Sequence, residues 1–159
     1  MIARWPGKIM AGTESSRIGA FWDFMPTFAD VAKTDVPSDC TGTSFLPEML
    51  GNASAPAEFL YWEFPAYGHQ QAIRQGKWKA IRQSMRPVKV DEEWKIVERE
   101  TELYDLEADR AEQNDVAAEN PEIVKKLSKL MASARVPSEL FAFPALDRPG
   151  AERVKSETP

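Results

Sequence analysis

Gln71-Ala72-Ile73-Arg74-Gln75-Gly76-Lys77-Trp78-Lys79-Ala80-Ile81 is the central passage of this chain. Two short runs carrying apolar residues flank Gln75-Gly76, and glycine can supply the positive-φ position of a tight turn. The segment therefore predicts a β-hairpin. Upstream, Phe59-Leu60-Tyr61-Trp62-Glu63-Phe64 is β-rich in composition, and downstream Trp94-Lys95-Ile96-Val97 and Glu102 to Leu106 are further strand candidates. The polar, proline-containing connection from Met85 to Glu93 matches no element. A sheet with one open face needs a cover, and the sequence provides one. Asn120 stands as an N-cap, Pro121 as the first helical residue, and Glu122 complements the helix dipole. Ile123, Val124, Leu127, Leu130, Met131 and Ala134 then form an apolar stripe, while Lys125, Lys126 and Lys129 face water.

Towards the N-terminus the period changes. Ile18, Phe21, Trp22, Met25, Phe28, Ala29 and Ala32 recur at helical spacing. With Asp23 as N-cap, Pro26 falls at the third helical position, where its missing N–H would have had no intrahelical acceptor. The helix is expected from Phe24 to Lys33. Ser44-Phe45-Leu46-Pro47-Glu48-Met49-Leu50-Gly51 repeats the device in miniature, with Ser44 capping, Pro47 in the first turn and Gly51 closing in a left-handed conformation. Ile2 to Ile9 reads as a short strand ending at the Pro6-Gly7 turn. Asn52 to Pro56 is a small-residue linker, which places the organisation at residues 1–52, 57–136 and a tail at 137–159. That tail, with Phe141, Phe143 and several prolines, is expected to lie extended over the body, and Arg148 to Pro159 to be disordered.

Composition narrows the chemistry. At 159 residues the chain can bury one good core, and its net charge of −5 with scattered basic residues argues against nucleic acid as a partner. No apolar run approaches the ~20 residues of a membrane span, and Met1-Ile2-Ala3-Arg4-Trp5 leads straight to a Pro-Gly turn without a secretory signal. A single Cys40 and a single His69 allow no internal disulfide and no His/Cys metal cluster. His69 would be the one possible base, so no Ser-His-acid triad can be argued from spacing. Asp91-Glu92-Glu93 is a run of like charge typical of a solvated turn and lacks calcium-loop spacing.

An ordered series of motifs carries a resemblance. It runs through Ala3-Arg4-Trp5-Pro6-Gly7-Lys8-Ile9, Asp23-Phe24-Met25-Pro26-Thr27 (D-x-x-P-T) and Gly42-Thr43-Ser44-Phe45-Leu46-Pro47 (G-x-S-x-x-P). Tyr61-Trp62-Glu63-Phe64 follows, then the hairpin, then Glu102-Leu103-Tyr104-Asp105-Leu106, and finally Asp109, Glu112 and Asn114 (D-x-x-E-x-N). In this order the set resembles the C-terminal portion of a type I sulfatase, of the alkaline phosphatase superfamily, although Thr41 stands where that family usually has Asp. The match covers roughly Met1 to Ala134.

The resemblance implies an α+β fold. A small antiparallel sheet of about four strands would pack against a C-terminal helix, preceded by the last strand and helices of the large α/β sulfatase domain. It implies sulfuric ester hydrolysis by the parent, with formylglycine made from a Cys/Ser-x-Pro-x-Arg motif and a calcium or magnesium ion held by Asp, Asn or Gln. Cys40 is followed by Gly42 and Ser44 at the positions that motif gives to Pro and Arg, so these catalytic and metal-binding groups are expected upstream of Met1 and none in this chain. The partners implied are the missing N-terminal catalytic domain and a sulfate ester, with a sulfated sugar as one candidate, and exposed apolar surface could drive homo-oligomerisation. Sulfatase relatives of this kind are often periplasmic or secreted. The C-terminal subdomain borders the cleft in that family, which makes Tyr67, His69, Gln70 and Arg74 candidates for substrate contact. Two alternatives remain: a non-catalytic carbohydrate-binding module using Trp62, Tyr67 and Trp78 as a stacking platform, and a fragment of a related phosphonate or phosphate ester hydrolase.

Overall fold

A computed structural model describes residues 1–54, 57–66 and 68–147, and the backbone of 153–155. The chain divides into two compact units, Met1–Leu60 and Tyr61–Pro159.

In the first unit, α1 spans Phe24–Ala32, preceded by a 3-10 turn at Phe21–Asp23, and α2 spans Leu46–Met49. Pro26 is the third residue of α1, as its missing donor requires, and the helix stops where Lys33 turns left-handed at φ +56°. Asp23 precedes the helix, but its side chain does not cap it. Instead the carboxylate, 2% exposed, accepts the N–H of Ala20 and the N–H of Thr43, each at 2.8 Å. Thr27 completes the joint, donating its hydroxyl to Asp23 O at 2.6 Å and accepting the Phe45 N–H at 2.8 Å. The D-x-x-P-T and G-x-S-x-x-P segments are thus two halves of one hydrogen-bonded corner. Gly42 lets them meet, because a Cβ there would lie 2.2 Å from Trp22 O. In α2, Ser44 Oγ accepts the Leu46 N–H at 3.1 Å, and Gly51 closes the turn at φ +79°.

One further expectation for this unit needs correction. Residues 1–9 form no strand: the N–H groups of Lys8 and Ile9 both donate to Trp5 O in a turn, and Ile2 is 99% exposed. Extended backbone needs a neighbour to satisfy its polar groups, and among the described residues none pairs with this segment. The apolar stripe around α1 is covered on one side only. Ala29 is buried, whereas Phe21 is 86% and Phe28 63% exposed, with Met25 and Val31 exposed beside them.

In the second unit, β1 (Leu60–Phe64, starting at the unit boundary), β2 (Gln70–Gln75), β3 (Trp78–Arg82) and β6 (Glu102–Asp105) form one sheet in the order β1-β2-β3-β6. β2 and β3 are the expected hairpin, with its loop one residue later, at Gly76-Lys77, and Gly76 at φ +58°. Ile73, Ala80 and Leu103 stand side by side in register and are fully buried. The helix α3 (Pro121–Ala134) lies against β2 and β3, and its Leu127 and Met131 are buried. Each such side chain stabilises by roughly 1.5–3 kcal/mol on burial. Asn120 begins the helix without a side-chain cap; its amide donates to Val116 O at 2.9 Å. The four-stranded antiparallel sheet with its covering helix is the α+β arrangement expected.

A second sheet was not foreseen. β4 (Val88–Val90) pairs antiparallel with β5 (Glu93–Glu98), and β7 (Arg153–Lys155) pairs parallel with β5. Asp91 and Glu92, both at positive φ, form its two-residue turn. Within 137–159, expected to be extended or disordered, Pro144–Asp147 forms a helical turn, α4. Phe143 and Ala145 enter a small core with Met85 and Ile96. Two buried apolar side chains outweigh the prolines that suggested a loose tail. Apart from β7, Arg148 to Pro159 lies outside the described residues. No helix among the described residues is long and apolar enough to cross a membrane.

Candidate functional site

Side chains on a strand alternate between faces. Ile73 is turned to α3, so Gln70, Ala72 and Arg74 share the face of the sheet opposite that helix. Across the hairpin, Arg74 stands in register with Lys79 and Ala72 with Ile81. With Trp62 of β1 and Glu112, these residues line a depression of about 320 Å³. Small Ala72 forms part of its floor, and the rim carries an indole, an amide and two cationic side chains. Arg74 Nε donates to Gly76 O at 3.1 Å, which anchors the guanidinium beside the turn. Lys79 Nζ pairs with Glu112 Oε2 at 2.5 Å.

Glu112 reaches Lys79 from a loop that Asp109 organises. The Asp109 carboxylate accepts the N–H groups of Ala111, Gln113 and Asn114. These bonds, that from Asn114 foremost, hold its carboxyl below the usual range. The folded-back loop puts Glu112 at φ +55°. The D-x-x-E-x-N spacing is therefore a loop that delivers one carboxylate to the sheet.

Of the four expected contact residues, the structure brings Gln70 and Arg74 together in the depression. His69 is elsewhere. It is 9% exposed, its ring centroid lies 5.1 Å from that of Phe143, and its Nδ1 has no hydrogen-bond partner among the described residues. Burial first, then the charge of Arg86, holds the imidazole pKa below its ordinary value. Its backbone is left-handed at φ +65°; its N–H donates to Ala66 O at 3.1 Å and its carbonyl accepts Met85 N–H at 3.1 Å, while Arg86 N–H donates to the neighbouring Gly68 O at 2.9 Å. Tyr67 lies outside the described residues. Lys79 and Glu112 join the site although the sequence marks them only as hairpin and motif residues; the signal for Lys79 is its pairing with Arg74 once the turn is fixed. Trp78 falls on the same side of β3 as Ala80, opposite Trp62, so those two indoles form no common platform.

Cys40 sits half-buried in a loop, with its N–H donating to Pro37 O at 3.0 Å. Among the described residues no three His, Cys, Asp or Glu side chains are placed to hold a metal ion. Among the described residues, then, no such cluster offers a site for the divalent ion that the resemblance implies.

A family model described as N-sulphoglucosamine sulphohydrolase, C-terminal, matches residues 1–136. The chain is 31% identical over 140 residues to an N-acetylgalactosamine-6-O-sulfatase of Bacteroides thetaiotaomicron, covering 84% of this chain and 26% of that protein. It is 34% identical over 140 residues to an N-acetylglucosamine-6-O-sulfatase of the same organism, covering 82% and 23%. The chain spans about a quarter of the length of these relatives. A solved structure of a protein in complex with its substrate D-glucosamine-2-N,6-O-disulfate aligns with a TM-score of 0.64 and 31% identity, over 82% of this chain and 26% of that one.

Proposed function

The chain belongs to the N-sulphoglucosamine sulphohydrolase C-terminal family, and from there we propose that it is the part of a sulfatase that completes the fold and borders the substrate cleft. The observation that carries the proposal is the gathering of Gln70, Arg74, Lys79 and Trp62 in one depression on the open face of the sheet. A sulfate ester brings negative charge and a ring of hydroxyls. Guanidinium and ammonium groups favour the anion, a carboxamide can donate to and accept from hydroxyls, and an indole offers a flat apolar face. Sulfated amino sugars are the substrate class, as the names of the relatives and the bound disulfated glucosamine indicate for those proteins. The nucleophile and the divalent ion come from polypeptide outside these residues, and that polypeptide covers the exposed side of α1, from Phe21 through Met25 and Phe28 to Val31.

Two measurements test this. The purified chain is expected to give no turnover of a chromogenic aryl sulfate; turnover abolished by Cys40→Ala would overturn the assignment of chemistry to other polypeptide. A chimera in which this chain replaces the matching quarter of the N-acetylgalactosamine-6-O-sulfatase is expected to hydrolyse sulfate esters. In it, Arg74→Ala should raise KM several-fold with a smaller change in kcat, the signature of lost substrate binding. An unchanged KM would remove the depression from the cleft.

A further inference from the structure

Residues 137–147 lie beyond the family match, yet they hold buried positions beside the β1–β2 loop. Phe143 is fully buried and packs on the His69 ring. Its N–H donates to Asp147 Oδ2 at 2.5 Å. The other Asp147 oxygen pairs with Arg135 at the end of α3. Arg135 also forms an ion pair with Glu63 of β1, Nε to Oε1 at 2.8 Å; this is a charge contact rather than an aligned hydrogen bond, since Nε finds no acceptor in good geometry. Glu63 accepts the Tyr61 hydroxyl at 2.5 Å, and Gln71 Nε2 of β2 donates to the same hydroxyl at 2.7 Å. One connected set of contacts thus ties this segment to β1 before the loop, to His69 at its end, and to β2 after it.

Something must hold His69 as it is. A non-glycine residue at φ +65° persists only where its surroundings over-determine it. Three backbone bonds at Gly68–His69, to Ala66, Met85 and Arg86, fix the main chain, and Phe143 closes the side of the ring.

We propose that Ser138–Asp147 is a clasp that sets the Gly68–His69 end of the β1–β2 loop, with Phe143 and Asp147 as positioning residues for the first residues of β2. Asp147 does not touch His69; it acts by holding Phe143 against it and by joining Arg135 to the helix end. Gln70 follows His69 directly, so the clasp fixes the angle at which the Gln70 amide enters the depression. This last consequence rests on the cleft-bordering function proposed above.

His69 is the single histidine of the chain, so its ring protons give one resolvable pair of NMR signals in the full 159-residue protein. Asp147→Asn removes the anion facing Arg135 while keeping the size of the side chain, and Phe143→Leu removes the ring while keeping a buried apolar group. Both variants are expected to shift the His69 ring signals, and Asp147→Asn to speed amide exchange at Gly68 and His69 at least tenfold over the rate at Ala80. Unmoved His69 signals in a folded Asp147→Asn variant would overturn the clasp, and so would exchange that rises equally at Ala80, the mark of general loosening. If Asp147→Asn is unfolded, Phe143→Leu decides by the same two readouts. A His69 response alongside an unchanged KM for Arg74→Ala in the chimera would leave the clasp standing and remove only its link to substrate.

Discussion

Asp23 Oδ1 accepts the N–H of Thr43 at 2.8 Å, joining residues 20 apart in the chain. Its other oxygen accepts the Ala20 N–H, so one buried carboxylate satisfies two backbone donors of the corner. Asp23→Ala is expected to destabilise the chain by about 2–6 kcal/mol, since each of the two donors left without a partner costs about 1–3 kcal/mol. Asp23→Asn, which keeps one acceptor oxygen, should lose about half as much. Urea unfolding followed by tryptophan fluorescence measures both; equal losses for the two variants would show that the acceptors are not what matters.

Glycines 42 and 76 are expected to respond differently to the same change. Gly42→Ala would place a methyl group 2.2 Å from Trp22 O, against backbone that cannot step aside, and should cost about 3 kcal/mol. At Gly76 the added methyl meets nothing within 4 Å, so only the left-handed backbone resists and the cost should be about 1–2 kcal/mol. Unfolding midpoints compare the two directly. A larger loss at Gly76 would refute the close approach at Gly42.

The hairpin, α3 and α1 were legible because each rests on a local signal: a turn glycine, a proline in a first turn, a stripe at helical spacing. The second sheet was not, because its turn is Asp91-Glu92, two residues at positive φ without glycine or asparagine. Its third strand comes from Arg153–Lys155, far along the chain. Asp23 illustrates a subtler limit. Sequence places an acidic residue before a helix and names it a cap, but Thr43 competes for the same carboxylate from 20 residues away. In the candidate site, Gln70 and Arg74 share a face by strand alternation alone. His69 departs from them because Phe143, 74 positions on by their residue numbers, takes its ring into a core.

Glu112 restrains the cationic rim of the depression. Its pair with Lys79 is partly exposed, so Glu112→Gln should cost less than about 1 kcal/mol of stability. Freed of its carboxylate partner, Lys79 becomes available to an anion. Binding of N-acetylglucosamine-6-sulfate to the variant should be about threefold tighter, on the order of 0.6 kcal/mol. Isothermal titration of both proteins with that sugar supplies the comparison. Weaker binding by the variant would mean that Glu112 itself contacts the sugar.

His69 gives the chain a specific pH response. Burial, with the charge of Arg86 second, favours its neutral form in the folded state, so the folded pKa lies below the value of about 6.5 that an unfolded chain shows. Between those two values the unfolded state binds more protons, and stability rises with pH through that window. The contribution of the neutral imidazole is complete above about pH 6.5 and is lost as pH falls through the folded pKa. Carboxylates also titrate in acid, so the useful quantity is the difference between wild type and His69→Gln. The wild-type advantage in urea midpoint should hold from pH 7.5 to about pH 6.5 and then shrink towards pH 5. Growth of that advantage towards acid would mean the imidazolium is the stabilised form, and would contradict a histidine buried beside Phe143.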